Sequence, residues 1–342
     1  MTRRALAIGC GGTLGFAWTA VALRLLEQRL DWDARTADLL IGTSAGAEVV
    51  AALGTGRTPQ QLLDALDAAE AVEPREDGDD LARRGLSGPT LVDPVLAAHL
   101  TRHPGHLPPV PWPALPSFGL LREGVARGSA YTVGAALLPR GNGDASWLLA
   151  YGDALADAGS WTTHPGVRIV AADARTGRRV AFGAPEAPAA SLGEAVAASW
   201  AIPGWFPQVR IGGRGYVDGG TVSSVSADLV LDLPEDERPD EVVIVAPMTS
   251  HGGARGRGWS RLERLLRAQM THGLEKEVRA LKAAGIGVLR VEPGPQELAA
   301  MGANFMDVRR RRATIAAARK SLPSRIDTLA RHRAYTAGRP LT

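Results

Sequence analysis

Three short stretches hold residue types that could do chemistry together: "GCGGTLG" (Gly9–Gly15), "GTSAG" (Gly42–Gly46) and "VDGG" (Val217–Gly220). The second has the spacing G-x-S-x-G. Between a strand and a helix, this spacing puts Ser44 on a sharp turn with its hydroxyl exposed, because the flanking glycines leave room where side chains would collide. The following helix would aim its first N–H groups, that of Ala45 among them, and the positive end of its dipole at the site, which suits a developing oxyanion. As a bare pattern the signal is weak, since a glycine-flanked helix start reads the same way. The apolar run before it and the helical pattern after it favour a nucleophile.

Only 43 residues precede Ser44. That is room for two strands and a helix, too little for an α/β-hydrolase, whose elbow follows several βα units and needs a later histidine. The glycine stretch fails as a dinucleotide fingerprint because Leu14 stands where the third glycine belongs, and no acidic residue convincingly closes a strand downstream. It fails as a P-loop for want of Gly-Lys-Ser/Thr. What remains is a nest of backbone N–H groups beside a helix start, able to hold an anionic oxygen. With a nucleophile on the neighbouring strand, Gly11 and Gly12 read as part of an oxyanion hole. Asp218-Gly219 has two readings: a hairpin turn, or a carboxylate facing Ser44 that accepts its proton directly.

The seven histidines offer no better base. His99, His103 and His106 fall in a proline-rich region, His164 precedes Pro165, His251 lies in a glycine-rich loop, His272 in a long helix and His332 in the tail. Each reads as a surface or packing residue. His99 and His103 have helical spacing, but Pro104 follows at once, so neither a metal site nor a cofactor is expected. The single cysteine, Cys10, excludes an intramolecular disulfide and reads as a small packing residue. Net charge is +3, and with only three lysines the basic side is nearly all arginine. No aromatic-interleaved basic stripe points to nucleic acid. No run approaches the length of a membrane span, and the short, glycine-broken apolar run at the N-terminus reads as a strand rather than a signal peptide. A cytoplasmic location is expected.

The elements that must position these residues can be placed from pattern. Arg4–Ile8 and Asp38–Thr43 read as buried strands, Phe16–Gln28 and Ala47–Leu53 as helices, giving the alternation of a mainly parallel sheet. Residues 73–145 read as a proline-rich helical insertion, lid-like in position, with a helix at Leu91–Leu100. Val167–Asp173 pairs with Val180–Phe182. Leu192–Trp200 is a helix, Arg210–Ile211 and Tyr216–Val217 are short strands, and Val242–Ala246 and Val288–Val291 are late strands around a long helix, Leu262–Ala284. Residues 296–342 form an arginine-rich helical segment. Its "RRRR" (Arg309–Arg312) reads first as a solvated helical face, with peripheral contact at a membrane surface as the alternative.

In this order the three stretches resemble the patatin-like phospholipase family. "ASWAIPGWFPQVRIGGRGYVDGG" (Ala198–Gly220) resembles that family's approach to its aspartate and is far more specific than the elbow alone. The resemblance covers about residues 4–54 and 165–250. It implies a three-layer α/β/α sandwich over one domain, residues 1–342, and a Ser–Asp dyad of Ser44 and Asp218 without histidine. It also implies an oxyanion turn at Gly11, Gly12 and Thr13, and hydrolysis of lipid acyl esters through an acyl-enzyme. Leu14 stands where the family carries a basic residue, which weakens the case for phospholipid in particular. Acyl transfer, hydrolysis of a small or carrier-bound acyl ester, and lipid binding without catalysis are the alternatives. Trp112, Leu115, Phe118, Leu120, Leu121, Trp200, Trp205 and Phe206 are candidates to line an acyl site, although core packing is the better reading for any one of them.

Overall fold

The computed structural model describes residues 2–71, 92–102, 117–139, 141–250 and 260–336. Its centre is an eight-stranded mixed sheet in the order β5-β6-β3-β2-β1-β7-β8, with β4 also pairing β3. The strands are β1 (Arg4–Ile8), β2 (Leu39–Thr43), β3 (Val167–Asp173), β4 (Arg179–Phe182), β5 (Val209–Ile211), β6 (Arg214–Asp218), β7 (Glu241–Val245) and β8 (Gly287–Val291). Strands β1, β2, β3, β7 and β8 are parallel, and β4 and β6 run antiparallel to β3.

Alternation along each strand divides the apolar residues between two helical layers. Leu6, Ile8, Leu40, Ile169, Val243 and Val245 face one layer. It is built from α1 (Gly12–Leu30), α2 (Ala45–Gly54), α3 (Pro59–Ala71), α4 (Pro94–Thr101), α7 (Ser146–Leu155), α8 (Leu192–Ser199) and α11 (Arg311–Thr336). Ala5, Ala7, Ile41, Val170, Val242 and Ile244 face the other, formed by α9 (Ser260–Ala283) and a 3-10 segment at Ala227–Asp232. The result is the mainly parallel sheet expected from the alternation, in the α/β/α sandwich that the family resemblance implies.

The β1–α1 junction departs from the pattern-based boundary. Helix α1 starts at Gly12, inside the glycine run, not at Phe16. Gly12 has φ of +57°, so the chain turns into the helix there, where a side chain would be strained. Pattern also assigns no helix to α3 or α7. Within 73–145 the described residues are helical: α4, then α5 (Phe118–Arg127) and α6 (Ala130–Leu137). Helix α4 begins three residues later than expected, where Asp93 caps it by accepting from Val95 N (2.9 Å), with Pro94 in the first turn. The stretch 103–116, with Trp112, Leu115, His103 and His106, lies outside the described residues, as does His251. Helix α10 (Pro295–Met301) precedes α11. Among the described residues no helix is long and apolar enough to cross a membrane.

Candidate active site

Ser44 caps α2 with φ 56° and ψ −119°, a conformation that costs an L-residue free energy and persists only where surroundings enforce it. The glycines of the motif enforce it. A Cβ at Gly42 would lie 2.4 Å from Gly46 O, and one at Gly46 would lie 2.1 Å from Ile8 O. Neither neighbour is a flexible side chain, so the backbone of β1 and the start of α2 are pressed together as only glycine permits. Ser199, at the end of α8, completes the fixation: its hydroxyl accepts from Ser44 N (2.8 Å) and donates to Val170 O (2.6 Å).

Asp218 ends β6 and begins a 3-10 turn, Gly219–Thr221, with Oδ1 accepting from Gly220 N (2.7 Å). The Ser44 hydroxyl lies close enough to favour the charged form of that carboxyl, so the structure brings these two sequence-predicted residues near each other. Burial raises the Asp218 carboxyl to about 7, while the Ser44 hydroxyl and the hydrogen bond from Gly220 oppose the rise. A carboxyl near 7 can both take and return a proton at neutral pH.

Gly11, Gly12 and Thr13 follow directly on Gly9 and Cys10, which touch the elbow and the aspartate turn. Cys10 N donates to Ser224 O (2.8 Å), Leu14 N to Phe305 O (3.1 Å) and Gly15 N to Gly11 O (2.8 Å). Among the described residues, the N–H groups of Gly11, Gly12 and Thr13 have no backbone acceptor, and α2 leaves Ala45 N in the same state. A Cβ at Gly220 would lie 3.2 Å from Cys10 Cβ, and one at Gly46 3.0 Å from Gly9 O, so the glycine turn, elbow and aspartate turn abut. Cys10 itself is buried, and burial with the Asp218 charge pushes its thiol far up, so it stays protonated and packs against Met248 and Met270. Leu14 is fully buried in the core and brings no charge to the turn. Glu277 of α9 secures the chain beyond Asp218 by accepting from the Ser223 hydroxyl and from Ala227 N (2.9 Å).

The candidate lining residues fare unevenly. Phe118 is 70% exposed. Leu120 and Leu121 pack on Ala172 and Val217, and Phe206 is in the core with Trp205 beside it. Among the described residues, Trp200 lines a cavity together with Phe16, Glu48, His99 and Trp147. The expected uniform solvated face at Arg309–Arg312 is also corrected. Arg309 and Arg310 pair with Asp307, while Arg311 is buried, pairs with Glu70 of α3 and donates to Leu100 O of α4 (2.9 Å). Desolvating a guanidinium requires such partners, and this one ties three helices together.

Sequence reasoning misses Ser199, whose role depends on α8 ending beside the elbow. It also misses Tyr131 of α6, which packs beside Cys10 and whose phenol burial pushes well above its usual range. His99 is a packing residue as expected, but a paired one, bonded to Glu48 and stacked on Tyr151. His164 Nδ1 accepts from Gly166 N (3.0 Å) in a loop, and His272 is exposed.

The comparisons with known proteins bear on this arrangement. A comparison with curated proteins gives no match. Among solved structures, the chain is similar to VipD from Legionella pneumophila, with 13% identity and a TM-score of 0.40, over 96% of this chain and 67% of that one. The family profile described as patatin-like phospholipase matches residues 6–231, a span that holds the glycine turn, the elbow and the aspartate turn. The chain therefore belongs to the patatin-like phospholipase family.

Proposed function

We propose that this protein is a serine acyl hydrolase that cleaves lipid or other acyl esters through a Ser44–Asp218 dyad. Family membership supports lipid acyl hydrolysis in general. The closeness of the Ser44 hydroxyl to a buried carboxyl raised to about 7 is the observation that supports the dyad.

In acylation, Ser44 Oγ attacks the ester carbonyl carbon as its proton passes to Asp218. The tetrahedral oxyanion is received by the N–H groups of Gly11, Gly12, Thr13 and Ala45, aided by the start of α2. The carbon–oxygen bond to the alcohol breaks, and Asp218 returns the proton to the departing oxygen. In deacylation, water gives a proton to Asp218 and attacks the acyl-enzyme; the carboxylic acid leaves and Ser44 regains its proton. The Gly220 N–H bond and the pairing of β6 with β3 hold Asp218 in place of a third side chain.

The neutral, buried Leu14 favours a second reading of the acceptor and substrate, in which a small or carrier-bound acyl group is hydrolysed or passed to an alcohol. Product analysis with an alcohol present separates transfer from hydrolysis. A fluorophosphonate should label Ser44, and Ser44→Ala should abolish turnover of an ester panel; full activity in that variant sinks the dyad. We place the enzyme in the cytoplasm, with any membrane contact peripheral.

A further inference from the structure

Glu48 lies one turn beyond Ser44 on α2, 3% exposed, in the helical layer where burying a carboxylate is costly. Its Oε2 is hydrogen-bonded to His99 Nε2 from α4. His99 is 6% exposed and clamped between Tyr151 and Trp147, with ring centroids at 3.8 and 5.1 Å. The pair is hydrogen-bonded and buried, yet its outer atoms are unspent. Among the described residues, Glu48 Oε1 and His99 Nδ1 have no hydrogen-bond partner, and neither do Nε1 of Trp147 or Trp200. The Trp200 indole lies close enough to Glu48 to favour its charged form without closing a full hydrogen bond.

These four residues, with Phe16, Leu100, Arg102, Arg311 and Thr13 of the glycine turn, line one half-open cavity with about 20 Å³ of room for water-sized groups. Native interiors seldom leave so many polar groups unpaired in one place, and where they do the space commonly takes a polar occupant. An alkyl chain there would leave every one of these groups desolvated and unmatched. An anion would meet Glu48, while Arg311 on the lining is already engaged by Glu70 and Leu100 O and Arg102 is exposed to solvent. A hydroxyl both donates, to Glu48 Oε1, and accepts, from an indole N–H.

We infer that this cavity is a subsite of the ester-cleaving site that takes a hydroxyl borne by a short substrate, the Glu48–His99 pair stopping the pocket where a long aliphatic chain would continue. Its place beside the catalytic serine rests on the acyl-hydrolase reading above. Glu48 and His99 act on specificity and take no part in moving the reacting proton.

The direct test is binding to Ser44→Ala protein, read by tryptophan fluorescence. 1,3-Butanediol should give a saturable change that 1-butanol does not, and both Trp147→Phe and Glu48→Gln should weaken it while circular dichroism shows the fold intact. Two activity arms on the unaltered enzyme then say which part of the ester carries the hydroxyl. p-Nitrophenyl 3-hydroxybutyrate is compared with p-nitrophenyl butyrate, and 3-hydroxypropyl butyrate with butyl butyrate. In one arm the hydroxylated ester should be favoured in kcat/KM by about 10- to 100-fold, the worth of a hydrogen bond to a charged group. No saturable diol signal, or ratios near one in both arms, overturns the subsite and leaves a cavity for water alone. Because the titration needs no turnover, it stands apart from fluorophosphonate labelling of Ser44, which tests the hydrolase itself.

Discussion

Thr43 and Asp218 pair with consecutive residues of one strand, Thr43 with Val170 and Asp218 with Ala171. Strand β4 occupies the other edge of β3 over Ile169–Ala172, so β2 and β6 share an edge and meet end to end. A Cβ at Gly219 would lie 3.2 Å from Thr43 Cγ2, which shows how close the two strand ends come. The residue after Thr43 and the last residue of β6 are thereby brought near each other. Strand register, not a loop, sets the geometry of the pair.

The first prediction concerns the carboxylate. Asp218→Asn keeps an oxygen to accept from Gly220 N but cannot take a proton. Loss of a positioned base should lower kcat by about 10²- to 10⁴-fold, with melting temperature held or raised because a buried ionisable group has gone. Collapse of the fold in this variant would make Asp218 a turn residue only.

The pH dependence follows from the same group. Asp218 must be ionised to accept the Ser44 proton, so kcat/KM should rise with an inflection near pH 7. Its carboxyl is raised from 3.8 to about 7 by folding, so between these values the folded state holds the extra proton. Stability should therefore fall as pH rises from about 4 to about 7 and then level off, with this group contributing up to about 4 kcal/mol of the change. Asp218→Asn should flatten that part of the profile in a series of thermal melts. An unchanged profile would mean that the carboxyl titrates normally.

Ser199 is predicted to act through Ser44. Ser199→Ala leaves Ser44 N and Val170 O without their partner. Each buried unpaired group costs about 1–3 kcal/mol, so the melting temperature should drop by several degrees. The ester kcat should fall with KM little changed, because the elbow loses its anchor while the substrate's own contacts remain. Wild-type kcat in the variant would show that the glycines alone hold Ser44.

Two glycine substitutions should separate close packing from backbone freedom. Gly46→Ala places a Cβ 2.1 Å from Ile8 O and should abolish folding or soluble expression. Gly56→Ala meets nothing within 4 Å and carries only the strain of φ +92°, worth about 1–2 kcal/mol. Equal stability of the two proteins, measured by denaturant titration, would contradict the packing at the elbow.

Arg311→Met tests the strut between helices. It removes the pair with Glu70 and the bond to Leu100 O while keeping a long apolar stem. Breaking one side of a buried pair costs about 3–5 kcal/mol, so unfolding should shift to clearly lower denaturant. Ester turnover under native conditions should persist. A change confined to vesicle binding would instead mark the arginine run as a membrane contact.

Much of this was legible in the chain itself because it is local. Short apolar runs that end at a glycine, Ala5–Ile8 and Leu39–Ile41, announce β1 and β2, and the G-x-S-x-G spacing announces a turn that only glycines permit. The aspartate turn is legible in the same way; the alternation announces a mainly parallel sheet, and the family resemblance adds the three-layer sandwich. The start of α1 was misplaced because glycine is a poor helix former, and propensity does not register that the turn must close there against Phe305. Tertiary structure alone decided the rest. Pairing along one edge of β3 joined Asp218 to Ser44, the end of α8 supplied Ser199, and α4 carried His99 to Glu48. Each of these contacts joins residues far apart in the chain, and no local pattern encodes them, because their free energy is gained only when the layers close.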